Sequence, residues 1–309
     1  MFHVRLYSAV TQPHCTGVTM PVLKVVMIGD VIGEPGLELL GKRLPLFINE
    51  RRPDFIMVNG ENSANGFGIS ADALDRILRA GADVVSSGNH VWEKRDFWPL
   101  LDSEKRVLRP ANYAEAPGRG CIKIHKEIRG KRYAFLAVNL QGREFMNPID
   151  CPFRCFDAIE KNQSEVPSEY TYPTVPLNMN ELNADEAGSE KTVILVDFHA
   201  ESFREKEALG FYLDGRAGVV AGTHTHVQTA DEKILPKGTA YISDLGMCGI
   251  SDAVIGMEPK ICIDRARNQV LYRLEAAASG NRTLVQGILS EIDDETGKAL
   301  SIRRFSLSN

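Results

Sequence analysis

The sequence predicts an α/β protein, and three observations carry that expectation. Short apolar runs alternate with stretches of helical periodicity. Each run stops at Gly, Asn, Asp or His. The 309 residues, 43% hydrophobic and 25% charged, have the composition of a globular chain large enough to bury a core without disulfide or metal staples.

The first strand is VLKVVMIGD, residues 22–30, a continuous apolar run that breaks at Gly29-Asp30 as a buried strand does. Residues 36–51 read as a helix, with Leu37, Leu40, Leu44, Phe47 and Ile48 at helical spacing and Arg and Lys on the other face. Phe55 to Val58 form the second strand, which ends at Asn59-Gly60-Glu61-Asn62. A loop with Gly66 and Gly68 leads to Ser70, an N-cap type of residue before a helix carrying Leu74, Ile77 and Leu78 on one face. Ala82 to Ser86 is the third strand and ends at Gly88-Asn89-His90. This βαβαβ order implies parallel pairing.

The second half repeats the theme. Residues 133–138 end at Asn139-Leu140-Gln141-Gly142-Arg143, and residues 192–196 end at Asp197-Phe198-His199. Residues 217–221 end at Gly222-Thr223-His224-Thr225-His226, and residues 239–243 at Asp244-Leu245-Gly246. The stretch 284–305 alternates and turns near Asp294–Gly297, as a hairpin does. Alternation by itself suggests one doubly wound parallel sheet.

The charge balance, 36 basic against 41 acidic residues, gives −5 and argues against a strong nucleic-acid patch or a polybasic membrane partner. No run approaches the roughly 18 apolar residues that cross a bilayer. Residues 1–20 lack a charged segment followed by a continuous apolar one, so a secretory signal is not expected. They read as a disordered extension, and Met20 just before the first strand suggests a tail or an upstream misassigned start. Six irregularly spaced cysteines (15, 121, 151, 155, 248, 262) read as reduced thiols of a cytoplasmic protein. Cys151 and Cys155 lack the CxxC spacing of a zinc or redox pair. Around residues 156–191 lie three prolines and, from Glu160 to Glu190, seven acidic residues with few large aliphatics, the composition of a solvated loop or of a lid over a site.

Candidate ligating and acid/base residues fall where the strands stop: Asp30, Glu61, Asn62, Asn89, His90, His199, His224 and His226. Open α/β sheets bind ligands at the carboxyl ends of their strands, so these groups are placed to converge. Taken singly, each is an ordinary turn former or hydrogen-bonded histidine. Taken together they differ, because apart from His3, His14 and His125 every histidine lies at such an end. In an extended Gly-Thr-His-Thr-His, His224 and His226 project to one side and address neighbouring metals. Imidazole, carboxylate and Asn carbonyl form a set suited to Mn, Fe, Zn or Co. Glu61, with two oxygens, can bridge two ions about 3.5–4 Å apart. The glycine-rich stretch 59–70 has neither phosphate-loop pattern, although the helix start after it can still meet a phosphate. Arg143, also after a strand, reads equally as a phosphate clamp and as a surface arginine.

These residues resemble the calcineurin-like metallophosphoesterases. Two departures, Asp30-Val31-Ile32 without the usual His and Asn59-Gly60-Glu61-Asn62 in place of a Gly-Asp motif, match the YmdB-like bacterial phosphodiesterases. Further shared signatures stand at residues 28–36, 88–92, 196–201, 212–216 and 222–231. The resemblance runs from about Leu23 to the C-terminal hairpin. It implies a four-layer α/β/β/α sandwich, two β-sheets flanked by helices, in a single metallophosphoesterase domain over 21–309. It implies two divalent metal ions, Fe or Mn first and Zn, Co or Mg as alternatives. Asp30, Glu61, Asn62 and His226 would hold one, and Glu61, Asn89, His199 and His224 the other. The implied activity opens 2′,3′-cyclic nucleotides at the 2′ bond to 3′-nucleotides, by a metal-bridging hydroxide with His90 as proton donor. Two alternatives stand beside it: a broader phosphatase or nuclease on the same metals, and a regulatory metal- or nucleotide-binding protein. Association into a homo-oligomer stays open.

Overall fold

The computed structural model describes residues 4–11, 22–162, 168–171 and 192–309. Along the chain the first elements are β1 (Val4–Leu6), β2 (Val10–Thr11), β3 (Val22–Ile28), β4 (Asp30–Val31), α1 (Gly33–Arg51), β5 (Phe55–Asn59), α2 (Ala71–Arg79) and β6 (Val84–Ser86). Then come α3 (Trp98–Ser103), β7 (Cys121–Ile128), β8 (Lys131–Gln141), α4 (Pro152–Lys161) and β9 (Ser168–Thr171). The second half continues with β10 (Thr192–His199), α5 (Phe203–Tyr212), β11 (Val219–Thr223), β12 (Lys233–Ile234), β13 (Ala240–Ile242) and β14 (Met247–Ile250). It closes with α6 (Pro259–Asn268), β15 (Thr283–Asp293) and β16 (Ala299–Ser308).

These strands form two sheets. The first runs β1-β16-β15-β3-β5-β6, with β14 joining β15 to β4 and β2 beside β16. The second runs β12-β13-β11-β10-β8-β7-β9. In the first, β3, β5 and β6 are parallel, joined by α1 and α2 as the alternation predicts. In the second, β8, β10, β11 and β13 are parallel. The hairpin β7–β8 closes on Arg129 and Gly130, both with positive φ, the geometry a two-residue turn needs to match strand twist.

The layering follows from the period of two along each strand. On β3, Leu23, Val25 and Met27 face the second sheet, while Val26 and Ile28 face the layer of α1 and α2. On β8, Phe135 and Ala137 face the first sheet, while Leu136, Val138 and Leu140 pack toward Phe156 of α4 and Leu209 of α5. Helices, sheet, sheet and helices therefore stack in the four-layer order the resemblance implied, not as one sheet with helices on both faces. Phe55 and Phe135 stack across the inter-sheet core with ring centroids 4.7 Å apart. Ser70 caps α2, its hydroxyl accepting from the Ala73 amide at 3.2 Å.

Two sequence expectations change. Residues 4–11, expected as part of a disordered extension, supply β1 and β2 at the edge beside β16. A short edge strand needs a paired backbone, not an apolar run, which is why composition does not reveal it. Within the expected loop around 156–191, residues up to Lys161 complete α4 and Ser168–Thr171 pair with β7. Residues 163–167 and 172–191 of that stretch, and residues 12–21, lie outside the described residues. None of the described helices is long and apolar enough to cross a membrane.

Phe135→Ala should lower unfolding free energy by about 3–5 kcal/mol with an unchanged denaturant slope, since it empties the centre of the inter-sheet core. A loss under about 1 kcal/mol in urea unfolding would show that the two sheets do not depend on this contact.

Candidate metal centre

The carboxyl ends of the parallel strands of both sheets meet at one edge, and a buried carboxylate joins them. Asp197, on β10, accepts from Asn59 Nδ2 at 2.9 Å and Ser86 Oγ at 2.5 Å, both at strand ends of the first sheet. It also accepts from Thr223 Oγ1 at 2.7 Å, at the end of β11. Burial pushes the Asp197 carboxyl up, against those hydrogen bonds and the charge of His199. Asn139, beside it on β8, accepts from the Ser87 amide at 3.2 Å. Such a network is costly when incomplete and rigid when complete.

Above this bracket the expected ligands converge. Glu61 Oε1 lies 3.0 Å from His199 Nε2, which is also 3.1 Å from Asn89 Oδ1 and 3.0 Å from His224 Nδ1. Glu61, His199 and His224 each offer a ligand atom within 4.8 Å of the others. On the other side of Glu61, Asn62 Nδ2 is 3.1 Å from His226 Nε2 and 3.3 Å from Glu61 Oε1. Asp30 Oδ1 stands 3.9 Å from both His199 and His226. Gly88 permits this closeness, because a Cβ there would lie 2.2 Å from Glu61 Oε2 and 2.3 Å from the His199 ring.

Each of the three histidines has its outward nitrogen engaged. The Thr223 hydroxyl donates its proton to Asp197, so at 3.0 Å it accepts from His199 Nδ1–H. His226 Nδ1–H donates to the Ile255 carbonyl at 2.9 Å, and His224 Nε2–H to Glu201 at 3.1 Å. The inward nitrogens, His199 Nε2, His224 Nδ1 and His226 Nε2, thereby turn toward Glu61 and Asn62, with His226 Nε2 facing the Asn62 amide nitrogen. Outward hydrogen bonds of this kind fix tautomer and ring orientation in metal sites.

The Gly-Thr-His-Thr-His segment departs from the extended geometry expected of it. His224 has φ 102° and His226 φ 63°, so the two rings meet through a tight turn, not along a strand. The turn is pinned at Thr225, whose amide and hydroxyl donate to Asp244 Oδ2 at 3.1 and 2.8 Å. Lys206 holds the same carboxylate at 2.8 Å in a fully buried ion pair. Backbone strain at two non-glycine residues is retained where surrounding contacts over-determine it.

The donor set fits a divalent cation. Asp30 Oδ1 and Asn62 Oδ1 are buried acceptors with no hydrogen-bond donor. Burial pulls the His199 pKa down, but the charge and hydrogen bond of Glu61, with Asp30 and Asp197, outweigh it and raise it to about 9. Burial and the neighbouring Glu61, Asp244 and Asp197 push Asp30 well above the usual carboxylate range, although His199 opposes them. With no cation bound His199 holds a proton among these carboxylates; a cation would displace that proton from Nε2 and supply the positive charge in its place.

His90 stands apart from the ligand atoms. Its amide donates to Glu61 Oε2 at 3.3 Å, its ring meets Phe67 edge-on at 4.9 Å, and Nδ1 lies 3.6 Å from Glu93. Of the other sequence candidates, Arg143 is exposed and its amide is held by Glu205 at 3.0 Å. Cys151 and Cys155 are free thiols at the start of α4. Sequence reasoning passed over Asn59, Asp197, Thr223, Asp244, Lys206 and Glu201 as supports. Asn59, Asp197, Thr223 and Glu201 each lie within two residues of a candidate ligand, whereas Asp244 and Lys206 carry no such positional signal.

Known proteins resemble this chain in sequence and in fold. The sequence profile of the YmdB-like protein family matches residues 26–305. A Bacillus subtilis (strain 168) protein named 2′,3′-cyclic-nucleotide 2′-phosphodiesterase is 38% identical over 288 residues, 93% of this chain and 98% of that one. A crystal structure of a hypothetical protein from Thermus thermophilus is similar at TM-score 0.77 and 35% identity, covering 93% of this chain and all 100% of that one. A Mycoplasma pneumoniae structure described as a novel phosphatase aligns at TM-score 0.78 and 26% identity, covering 94% and 95% of the two chains.

Thr223→Val removes the hydroxyl that orients His199 and should weaken divalent-metal affinity about 10–100-fold in a chelator competition. Unchanged affinity would mean that His199 is oriented without Thr223.

Proposed function

The chain belongs to the YmdB-like protein family, and from that premise we propose that it hydrolyses cyclic nucleotide phosphodiesters with two divalent metal ions. The observation that carries the reading is the inward convergence of three imidazole nitrogens and two donorless oxygens, with every outward imidazole nitrogen engaged. Asp30, Glu61, Asn62 and His226 would hold one ion, and Glu61, Asn89, His199 and His224 the other. The central place of Glu61, within 3.0–3.3 Å of members of both sets, supports the bridging role. Bound divalent ions, Fe or Mn foremost and Zn, Co or Mg as alternatives, supply Lewis-acid polarisation of the phosphodiester and an activated water.

The substrate class rests on the Bacillus subtilis relative, named for 2′,3′-cyclic-nucleotide 2′-phosphodiesterase activity. In that reaction water adds to phosphorus, the bond to the 2′ oxygen breaks, and that oxygen takes a proton, leaving a nucleoside 3′-phosphate. His90 would give that proton. Supporting this reading, its backbone amide is held by Glu61, its Nδ1 faces Glu93 and its ring meets Phe67 edge-on, so Nε2 is the ring nitrogen left for a leaving group. A donor outside the ligand set can cycle its proton without loosening an ion. The likeness to a structure described as a phosphatase keeps a broader phosphatase or nuclease as the second reading.

Chelator-treated protein assayed on 2′,3′-cAMP with Mn²⁺ or Fe²⁺ restored should regain turnover and release 3′-AMP. Mainly 2′-AMP would overturn the bond preference, equal rates on p-nitrophenyl phosphate or RNA would favour the broader reading, and metal binding without turnover a regulatory role. His90→Ala should keep its metals and lose about 10²–10⁴-fold in kcat; stripped metal would make His90 a ligand instead. Glu61→Ala should disturb both ions and His226→Ala chiefly one, by elemental analysis. Equal loss in the two variants would contradict the bridge.

A further inference from the structure

Five side-chain amides are buried among the described residues: Asn59, Asn62, Asn112, Asn139 and Gln141. Three are satisfied at both ends. Asn59 accepts from the Glu61 amide and donates to Asp197. Asn112 accepts from the Gln141 amide and donates to the Gln141 and Asp150 carbonyls. Asn139 accepts from the Ser87 amide and donates to the Asp197 carbonyl.

The other two are half-satisfied, in opposite senses. Asn62 lacks a donor at Oδ1, and Gln141 lacks an acceptor at Nε2. A buried acceptor without a donor calls for a cation, as at the metal centre. A buried NH₂ without an acceptor calls for an oxygen, and most of all a charged one.

Gln141 stands where such an oxygen would come. It is the last residue of β8 and pairs in register with His199, the last of β10. It shares a strand face with Asn139, two residues earlier, whose side chain reaches the Ser87 amide just before Gly88-Asn89-His90. Its Oε1 accepts from the Tyr113 hydroxyl at 3.0 Å, which directs the carbonyl end to Tyr113 and the NH₂ end away from it. The Tyr113 ring rests on Trp92, two residues beyond His90, at 5.3 Å. Asn112 clamps both backbone groups of Gln141, at 2.9 and 2.8 Å, so the strand end is fixed.

We propose that the Gln141 side-chain amide binds substrate, donating to a non-bridging phosphoryl oxygen of the phosphodiester, and that Tyr113 is the positioning residue that sets its orientation. For the identity of the substrate this rests on the phosphodiesterase reading; the need for an acceptor oxygen at Nε2 does not. Most other groups of the cluster are acceptors suited to metal, and Gln141 Nε2 adds a protein donor for an anion held there.

The test uses the full-length, Mn²⁺-loaded protein with Gln141→Ala, Gln141→Glu, Tyr113→Phe and the double variant Gln141→Ala/Tyr113→Phe. Bound metal is measured by elemental analysis, inorganic phosphate affinity by calorimetry, and kcat/KM on 2′,3′-cAMP. Gln141→Ala should keep its metal and lose about 10–100-fold in both phosphate affinity and kcat/KM. Gln141→Glu, nearly the same shape, should lose more because a carboxylate would face the anion. Tyr113→Phe should lose less, and the double variant no more than Gln141→Ala alone, since one hydroxyl acts through the other residue. Gln141→Ala within twofold of wild type on both readouts, or losses that track lost metal, would overturn the assignment. Additive losses would remove Tyr113 as its positioner. If the wild type binds phosphate but turns over no cyclic nucleotide, a phosphate loss in Gln141→Ala upholds this contact while the phosphodiesterase reading falls.

Discussion

The structure depends on one buried carboxylate, Asp197, that ties two sheets together at the edge where both sets of parallel strands end. Its partners are Asn59 and Ser86 from one sheet and Thr223 from the other. A carboxylate buried without such partners would be expelled or neutralised, so the network and the sheet-to-sheet spacing specify each other. That spacing decides everything above it. Glu61 follows two residues after Asn59, and its amide donates to the Asn59 side chain. His199 follows two after Asp197 on the same face of β10, and its ring leans on Thr223. The ligand cluster is thus carried by the same residues that set the distance between the sheets.

A second buried device serves the turn that brings His224 and His226 together. The Lys206–Asp244 ion pair is fully enclosed, and removing one partner from such a pair typically costs about 3–5 kcal/mol. Asp244 also grips Thr225 and the Gly246 amide, so the carboxylate fixes a loop as well as a charge. Two non-glycine residues with positive φ flank Thr225. The strain they store is offset by contacts made one residue away, which leaves both imidazoles free to face inward.

Much of this was legible in the sequence, for reasons the structure makes plain. Strands β3, β8 and β10 read as continuous apolar runs because each is covered on both faces. The same runs could not say whether a helix layer or a second sheet did the covering, since either demands apolar residues at every position. Only the motif resemblance separated a four-layer stack from one doubly wound sheet. Residue types at strand ends located the cluster, but spacing suggested an extended Gly-Thr-His-Thr-His where a pinned turn exists, because Asp244 lies 18 residues beyond His226 and nothing local announces it. Lys206 is invisible in the same way: on α5 it reads as an ordinary helix charge. Gln141 had no sequence signal beyond its place after a strand, because an unpaired amide nitrogen is a property of three-dimensional surroundings.

The central claim is that a preorganised set of inward acceptors binds two divalent ions about Glu61. Anomalous diffraction from crystals grown with Mn²⁺, recorded at the manganese edge, tests it most directly. The account requires two peaks, one among Asp30, Glu61, Asn62 and His226, the other among Glu61, Asn89, His199 and His224. A single peak, or peaks that leave Glu61 out of either coordination shell, would contradict it.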